Sequence, residues 1–228
     1  SVLNDFQQWI NGGYKVNLWG SVPCTVWSAW QRIALIRNPA AYKRSLQKRR
    51  ATSRGLVKRF IRLAKLVRQF GGRTGYEWPR SCDGWEDPTI KASLAELEWT
   101  ECCVDGCMCG VKSVRTGLPI KKPWKFLVDD PAWAQSFRDH RCNNSHQHSP
   151  CAGKDTVLTG FYTPYLADLI LKDMQHDEAK GPENLVGDSE SEAEYSGLVS
   201  VEERDAPSKA ARIRKWSEKL RSHQELSL

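Results

Sequence analysis

A strand, a helix and a second strand follow one another between residues 14 and 79, and this succession constrains the fold more than any other feature. Apolar residues nearly alternate along residues 14–20, as in a strand that enters a buried sheet. An apolar stripe at three- and four-residue intervals then predicts a helix, with Leu56, Phe60, Leu63, Val67 and Phe70 on one side. Residues 73–79 read as the second strand. Two strands joined by a crossover helix form the unit of a parallel sheet, so we predict an α/β fold.

Further elements are predicted on both sides of this unit. Residues 4–10 form a helix that Asn11-Gly12-Gly13 ends. Residues 38–54 are polar, basic and interrupted by a proline, so we expect a mobile loop with room for a short helix. Periodicity then predicts a helix over 88–97, strands over 99–109 and 120–128, and a helix over 163–174. Most tryptophans, namely Trp27, Trp30, Trp78, Trp85, Trp99, Trp124 and Trp133, are expected in the core or in pocket walls.

The charge of the chain is concentrated in its first third. Between Phe6 and Tyr76 there are fifteen Lys and Arg residues and no Asp or Glu. Such a segment attracts polyanions and favours a nucleic-acid partner, although a solvated helical face or a basic linker would have the same composition. No apolar run is long enough to span a membrane and no leader peptide opens the chain, so we expect no membrane partner and an intracellular location.

The last fifty residues differ from the rest in composition. Residues 176–208 are acidic and poor in apolar residues, which predicts a disordered linker. Residues 209–228 alternate basic residues with Ile213, Trp216 and Leu220, which predicts a basic C-terminal helix. The predicted folded region is therefore 1–175.

Cysteine and histidine residues form two candidate sites. Cys24 follows the first strand and Pro23, where backbone amides and a helix start would lower the pKa of a thiol; a buried, inert cysteine is the alternative. Four residues then have donors suited to tetrahedral zinc, namely Cys142, His146, His148 and Cys151. Cys102, Cys103, Cys107 and Cys109 could substitute for one of them. The alternative is a polar loop whose histidines contact phosphate or each other.

Two motifs at the ends of the predicted parallel strands resemble those of the cytosine-5 DNA methyltransferases. Val22-Pro23-Cys24 is similar to the family's Pro-Pro-Cys motif, and Glu77-Trp78-Pro79 to its Glu-Asn-Pro motif. The likeness is closest to compact phage-like and retroelement-borne members, and the order of later motifs continues it from about Lys15 to Ile170. These motifs are Gly84-Trp85, Cys107-Met108-Cys109-Gly110, Pro119 to Trp124, Cys142 with His146, and Tyr162-Thr163-Pro164.

The resemblance implies a chemistry and a set of contacts. Cys24 would add to carbon 6 of a flipped cytosine, Glu77 would hold the base, and S-adenosylmethionine would supply a methyl group to carbon 5. It implies DNA as partner and a nuclear location. Contacts to the base or DNA would come from Thr25, Ser28, Pro79, Lys121, Lys122, Arg59 and Arg62. For the two lysines, an exposed strand surface is the alternative.

Departures from the family pattern limit what the chain can do alone. Val22 and Trp78 replace a proline and an asparagine, and no Phe-x-Gly-x-Gly-like loop, which binds the methionine end of the cofactor, precedes Cys24. We therefore expect a partial doubly wound, Rossmann-like methyltransferase sheet without its first cofactor-binding half. Either that half lies upstream in a longer protein, or the element has decayed. The chain would be an inactive piece of a longer polypeptide, within a mobile-element polyprotein. The alternatives are a non-catalytic nucleic-acid-binding module and a structural or processing segment of a retroelement polyprotein.

Overall fold

The computed structural model describes residues 2–37 and 39–175, which fold into seven α-helices and four β-strands. In chain order these are α1 Val2–Asn11, β1 Leu18–Gly20, α2 Trp30–Arg37, α3 Pro39–Gln69, β2 Thr74–Pro79, α4 Pro88–Leu94, β3 Thr100–Asp105, β4 Pro123–Val128, α5 Pro131–Arg138, α6 Lys154–Leu158 and α7 Pro164–Gln175. Short 3-10 turns cover Thr25–Trp27, Asp83–Glu86 and Gly106–Cys109. The predicted linker 176–208 and helix 209–228 lie outside the described residues.

The four strands form one mixed sheet in the order β1-β2-β4-β3. β1 lies parallel to β2, with Leu18 opposite Thr74, so the predicted crossover unit is confirmed. β4 is antiparallel to both neighbours, with Phe126 opposite Glu77 on one side and Cys102 on the other. The α/β class is therefore confirmed, and the sheet is mixed because β4 reverses direction between two strands that run the same way.

Helices cover both faces of the sheet, and side chains alternate between these faces along each strand. Tyr76 and Trp78 of β2 pack with residues of α3 and α4 in one apolar cluster. Trp124, Phe126 and Val128 of β4 pack with residues of α5 and α7 in the other. Glu77 lies between Tyr76 and Trp78 in β2, so its side chain belongs to the opposite face from theirs, the face of α5 and α7.

Residues 39–54 are helical, so the predicted mobile loop is wrong over that range. They form the first half of α3, which runs unbroken from Pro39 to Gln69. Pro39 does not interrupt the helix because the first helical position needs no backbone N–H donor. Leu46 and Ser53 are buried, and the Tyr42 hydroxyl is 2.5 Å from Gln31 Oε1 of α2. Tertiary packing thus fixes a segment whose polar composition favoured a loop.

Other elements differ from the sequence prediction mainly in their ends. β1 is shorter than the predicted strand 14–20, and α4 ends at Leu94 rather than residue 97, whereas α7 is confirmed. α2, α5 and α6 were not predicted. α5 begins at an Asp-Pro pair, in which the Asp130 side chain accepts a hydrogen bond from the Ala132 N–H at 2.6 Å. Asp87 caps α4 in the same way.

The tryptophans are mostly in the core, as predicted. Trp27, Trp78, Trp85, Trp124 and Trp133 are buried. The prediction is wrong for Trp30, which is 74% exposed on α2. No helix in the described part of the chain is long and apolar enough to cross a membrane.

Candidate functional site

Cys24 lies in a short loop at the carboxyl edge of the β1–β2 pair. The loop leaves the sheet at Gly20 and carries Cys24 to the start of the 3-10 turn Thr25–Trp27, as the sequence predicted. Two tryptophans hold it in place. Trp27 Nε1 donates to Ser53 Oγ of α3 at 2.9 Å, and Trp78 Nε1 donates to the Val22 carbonyl. The position of the thiol is therefore fixed by both β2 and α3.

Glu77 is a buried carboxyl group in the same region. Glu77 is only 5% exposed. The Ser21 hydroxyl donates a hydrogen bond to Glu77 Oε1 at 2.7 Å. Burial raises the pKa of Glu77, while Ser21, the Tyr162 hydroxyl and the charge of Lys122 act in the opposite direction. The Tyr162 hydroxyl is close enough to lower that pKa, and Oε2 has no hydrogen-bond partner among the described residues.

Lys122 provides a cation close to both Cys24 and Glu77. Its ammonium donates to the Thr159 carbonyl and lies 5.2 Å from the centre of the Trp124 ring. Burial lowers the pKa of Lys122, and the nearby charges of Glu77, Cys151 and Cys24 raise it. Lys121 is different: its ammonium is 2.6 Å from Asn144 Oδ1, in a loop outside this cluster. The predicted lysine pair is thus divided between two places.

The environment of Cys24 favours the protonated thiol. Burial raises the pKa of Cys24 above its ordinary value, and the charge of Glu77 raises it further. Lys122 and a backbone hydrogen bond act in the opposite direction but do not reverse the result. The predicted lowering of this pKa is therefore wrong, because the loss of solvent and the carboxylate outweigh the turn amides.

The remaining predicted nucleic-acid contacts do not converge on Cys24 and Glu77. Thr25 is exposed and its carbonyl accepts a bond from Gln31 Nε2 at 2.8 Å, and Ser28 closes the 3-10 turn with a bond to the Thr25 carbonyl. Pro79 ends β2, where its carbonyl accepts from Trp85 Nε1. Arg59 and Arg62 are exposed on α3. The structure therefore brings together Cys24, Glu77 and Lys122.

Trp78 is inaccessible to stacking against a base, because it is only 1% exposed and packs against Tyr76 and Trp85.

Two residues of the site were not predicted. Ser21 directly follows β1, and Tyr162 accepts a bond from Trp19 Nε1 at 2.9 Å. Tyr162 could have been singled out from the sequence, since this residue belongs to the Tyr-Thr-Pro motif that introduces α7.

A separate cluster of two thiols and two imidazoles could hold a metal ion. One ligand atom from each of Cys107, Cys142, His146 and His148 lies within 4.8 Å of the others. Cys142 Sγ is 3.4 Å from His148 Nε2 and 3.8 Å from His146 Nε2. Three predicted ligands are therefore brought together.

The fourth residue of the cluster is Cys107, one of the alternatives considered, and the predicted Cys151 lies outside the cluster. Cys151 is exposed and its Sγ lies 3.3 Å from Thr159 Oγ1. Cys107 enters the cluster because β3 ends in the turn Gly106–Cys109. Burial and the neighbouring Cys142 raise the pKa of Cys107 to about 11, so a metal ion would have to displace the proton of the Cys107 thiol.

Hydrogen bonds from neighbouring residues hold the Cys107, Cys142, His146 and His148 cluster, here called the metal cluster, in place. Asp105 Oδ2 accepts from the Cys142 N–H at 2.9 Å and from Arg141 Nε at 3.1 Å. The Gly106 N–H donates to the Lys122 carbonyl at 2.8 Å. This last bond connects the turn that carries Cys107 to Lys122, whose charge acts on Glu77.

Comparison with known proteins gives no match. No family model matches the sequence, and no significant similarity is found among curated proteins or among solved structures. The interpretation of both sites therefore depends on their own geometry and on the order of the motifs.

Proposed function

We propose that this chain is the base-recognition half of a cytosine-5 DNA methyltransferase-like domain and is inactive in isolation. Glu77 would accept hydrogen bonds from the edge of a base extruded from DNA, with Cys24 at the nucleophile position. The observation that carries the proposal is the unpaired Oε2 of Glu77, buried beside Cys24 and Lys122. A buried carboxylate oxygen without a donor is costly, and a base edge that supplies an N–H would remove that cost.

The topology of the sheet supports the same proposal. Cys24 and Glu77 come from adjacent parallel strands, at the edge where ligands bind in open α/β sheets. Both strands belong to the sheet of order β1-β2-β4-β3, in which β1 and β2 are parallel neighbours. An origin within a mobile-element polyprotein remains part of the proposal.

The described residues do not fit S-adenosylmethionine. The glycines before Cys24 that could form a cofactor loop are Gly12 and Gly13, and they end α1 rather than follow a strand; Gly13 has φ +74°. Among the described residues, no glycine-rich turn after a strand precedes β1. We therefore derive no methyl-transfer step for this chain.

A non-catalytic nucleic-acid-binding module is the second candidate, and the raised pKa of Cys24 favours it. A protonated thiol is a poor nucleophile, so the site is better suited to holding a base than to attacking one. Both candidates assign the same contact to Glu77. They differ in whether Cys24 forms a covalent bond with the base.

We propose zinc as the ion for the cluster of Cys107, Cys142, His146 and His148. Two thiolates and two imidazoles are a common tetrahedral set for structural zinc. All four positions would be filled by protein, which leaves no open position for a substrate. The ion would therefore stabilise the fold rather than take part in a reaction.

The substitution Glu77→Gln tests the assignment of the base contact. The full-length chain is titrated with two fluorescent duplexes, one fully paired and one with a single mismatched cytosine, because a mismatched base is extruded at lower cost. We expect the wild-type chain to prefer the mismatched duplex by about tenfold, the worth of one good hydrogen bond to a charged group. Glu77→Gln should lose this preference and keep its affinity for the paired duplex.

Glu86→Gln is the matched control, because it removes the same charge from an exposed position in the turn after β2. It should keep the mismatch preference of the wild-type chain. If Glu77→Gln also keeps that preference, Glu77 does not recognise a base and the proposed function is wrong.

A further inference from the structure

The outer face of α3 carries a row of exposed cations that spans most of the helix. We call it the α3 ridge, and its members are Arg44, Lys48, Lys58, Arg59 and Arg62. Arg44 and Arg62 are separated by 18 residues, which is five helical turns, so they lie on the same side about 27 Å apart. Ser53, which is nine residues from each, lies on the opposite side and is buried. The ridge therefore points away from the sheet.

The cations of α3 fall into two groups that differ in their partners. Arg54 pairs with Asp87 at 2.7 Å, Arg50 donates to the Val26 carbonyl at 3.1 Å, and Arg68 donates to Thr74 Oγ1 at 2.7 Å. These three hold neighbouring elements together. In the described part of the chain, by contrast, no carboxylate lies within ion-pair distance of Arg44, Lys48 or Arg59. Their charge is left uncompensated.

The position of α3 brings the ridge to the edge of the sheet where Cys24 lies. Phe60 packs against Tyr76, and a Cβ at Gly20, the last residue of β1, would be 2.5 Å from the Phe60 ring. As a crossover helix, α3 runs opposite to β1 and β2, so its residues before Phe60 extend beyond that edge. The bond from Trp27 to Ser53 confirms the proximity of this extension to the Cys24 loop.

We propose that the α3 ridge binds the phosphate backbone of duplex DNA. Arg44 with Lys48, and Lys58 with Arg62, are each about one helical turn apart, so the ridge presents two pairs of cations to a polyanion. The ridge has no aromatic side chain, because Tyr42 and Phe60, the aromatic residues of α3, lie on its inner side. Proteins that bind single strands combine a cationic groove with aromatic stacking platforms, so the ridge fits a duplex better. This inference rests on the nucleic-acid partner of the proposed function but not on the pocket at Glu77.

A triple charge reversal, Arg44→Glu, Lys48→Glu and Arg59→Glu, tests the ridge. The matched control reverses three exposed lysines elsewhere, Lys112, Lys154 and Lys172, so both variants change the formal net charge from +7 to +1. Affinity of the full-length chain for a fully paired duplex is measured by anisotropy from 50 to 200 mM salt. A third variant with Gln at Arg44, Lys48 and Arg59 keeps the test valid if the reversed helix is unstable.

We expect the ridge reversal to weaken duplex binding by about tenfold or more at low salt. It should reduce the slope of log affinity against log salt by about three, one unit for each lost phosphate contact. The Gln variant should show the same change in slope, and the control should keep the wild-type slope.

Three results would overturn the inference. They are equal losses in ridge and control variants, no duplex binding by the wild-type chain at 50 mM salt, and tighter binding of a single strand of equal length. The first would assign binding to net charge, and the third would assign the surface to a different ligand. The ridge variants are compared by their affinity for paired DNA, whereas Glu77→Gln is compared by its preference for mismatched over paired DNA. Failure of the ridge is therefore distinguishable from failure of the pocket.

Discussion

Glu77 is a residue whose burial conflicts with the stability of the fold. Burial raises its pKa in the folded protein above the value of an unfolded chain. Between these two pKa values the folded state binds more protons than the unfolded state, so the free energy of unfolding decreases as the pH rises through this window. Above the raised pKa the full cost of the buried carboxylate is present. Such a cost is typical of a group retained for function.

The substitution Glu77→Gln should therefore stabilise the protein at neutral pH. We expect a gain of about 1 kcal/mol, at the lower end of the cost of an unpaired buried polar group, and an increase in Tm of about 2–4 °C. The gain should fade below about pH 4, where a glutamic acid is protonated in both states. Thermal melts from pH 3.5 to 8 provide the measurement. An unchanged or lower Tm at pH 7.5, relative to Glu86→Gln, would contradict the assigned environment.

The sequence predicted individual site residues where chain order was sufficient. Cys24 and Glu77 both follow from strands that were recognisable by their apolar pattern, and the structure places them together. Cys107 could not be singled out from the four alternative cysteines, because it reaches the metal cluster only through the turn that ends β3. The pKa of Cys24 was also beyond prediction, since it depends on Glu77, which is 53 residues away in the chain.

At the scale of elements, α3 is the longest described helix and connects most of the first half of the fold. Its C-terminal half was predicted from an apolar stripe, whereas its N-terminal half has few apolar residues. What makes that half helical is contact with α2 and the Cys24 loop, through Tyr42, Leu46, Arg50 and Ser53. Propensity alone cannot report such tertiary contacts. The direction of β4 likewise depends on pairing that periodicity does not encode.

Two glycines near or within α3 should respond to alanine in opposite ways. A Cβ at Gly72 would lie 1.9 Å from the Val16 carbonyl oxygen, so Gly72→Ala must displace the segment before β1. We expect a loss of about 2–3 kcal/mol. Gly55 lies inside α3 with nothing within 4 Å of the added Cβ. Gly55→Ala should therefore stabilise the helix by about 0.5–1 kcal/mol.

Urea denaturation of both glycine variants measures these effects, with the wild-type chain as reference. The midpoint should fall for Gly72→Ala and rise for Gly55→Ala, with similar slopes. A fall for Gly55→Ala would indicate that α3 is not a continuous helix at that position. That result would also undermine the α3 ridge, which needs Arg44 and Arg62 on one straight element.

At the scale of the whole described fold, the metal cluster joins segments that are distant in the chain. Cys107 follows β3, and its three partners follow α5. Without an ion, two thiols and two imidazoles share a small volume and contribute little to cohesion. A bound zinc ion would stabilise the folded state by about 4 kcal/mol when its free concentration is a thousand times its Kd. Zinc should therefore stabilise the described fold as a whole, and not only the loop that carries most of its ligands.

Removal of the ion with a chelator should lower the Tm of the wild-type chain. Because each kcal/mol corresponds to about 2–4 °C in a chain of this size, a loss of about 4 kcal/mol predicts a decrease of about 8–16 °C. Cys107→Ser should hold less than one zinc ion per chain and show no effect of the chelator, whereas Cys151→Ser should behave like the wild-type chain. Elemental analysis and thermal melts measure both properties. Zinc retained by Cys107→Ser and lost by Cys151→Ser would restore the ligand set predicted from sequence.

The same experiment bears on the base site, because the Gly106 N–H donates to the Lys122 carbonyl. Loss of the ion frees the turn that carries Cys107 and thereby loosens Lys122, whose charge acts on Glu77. The chelated protein should therefore lose part of its preference for a mismatched cytosine while it is still folded, below its lowered Tm. Affinity for paired DNA should be unaffected, since the α3 ridge lies on an element that the cluster does not contact through any of these bonds.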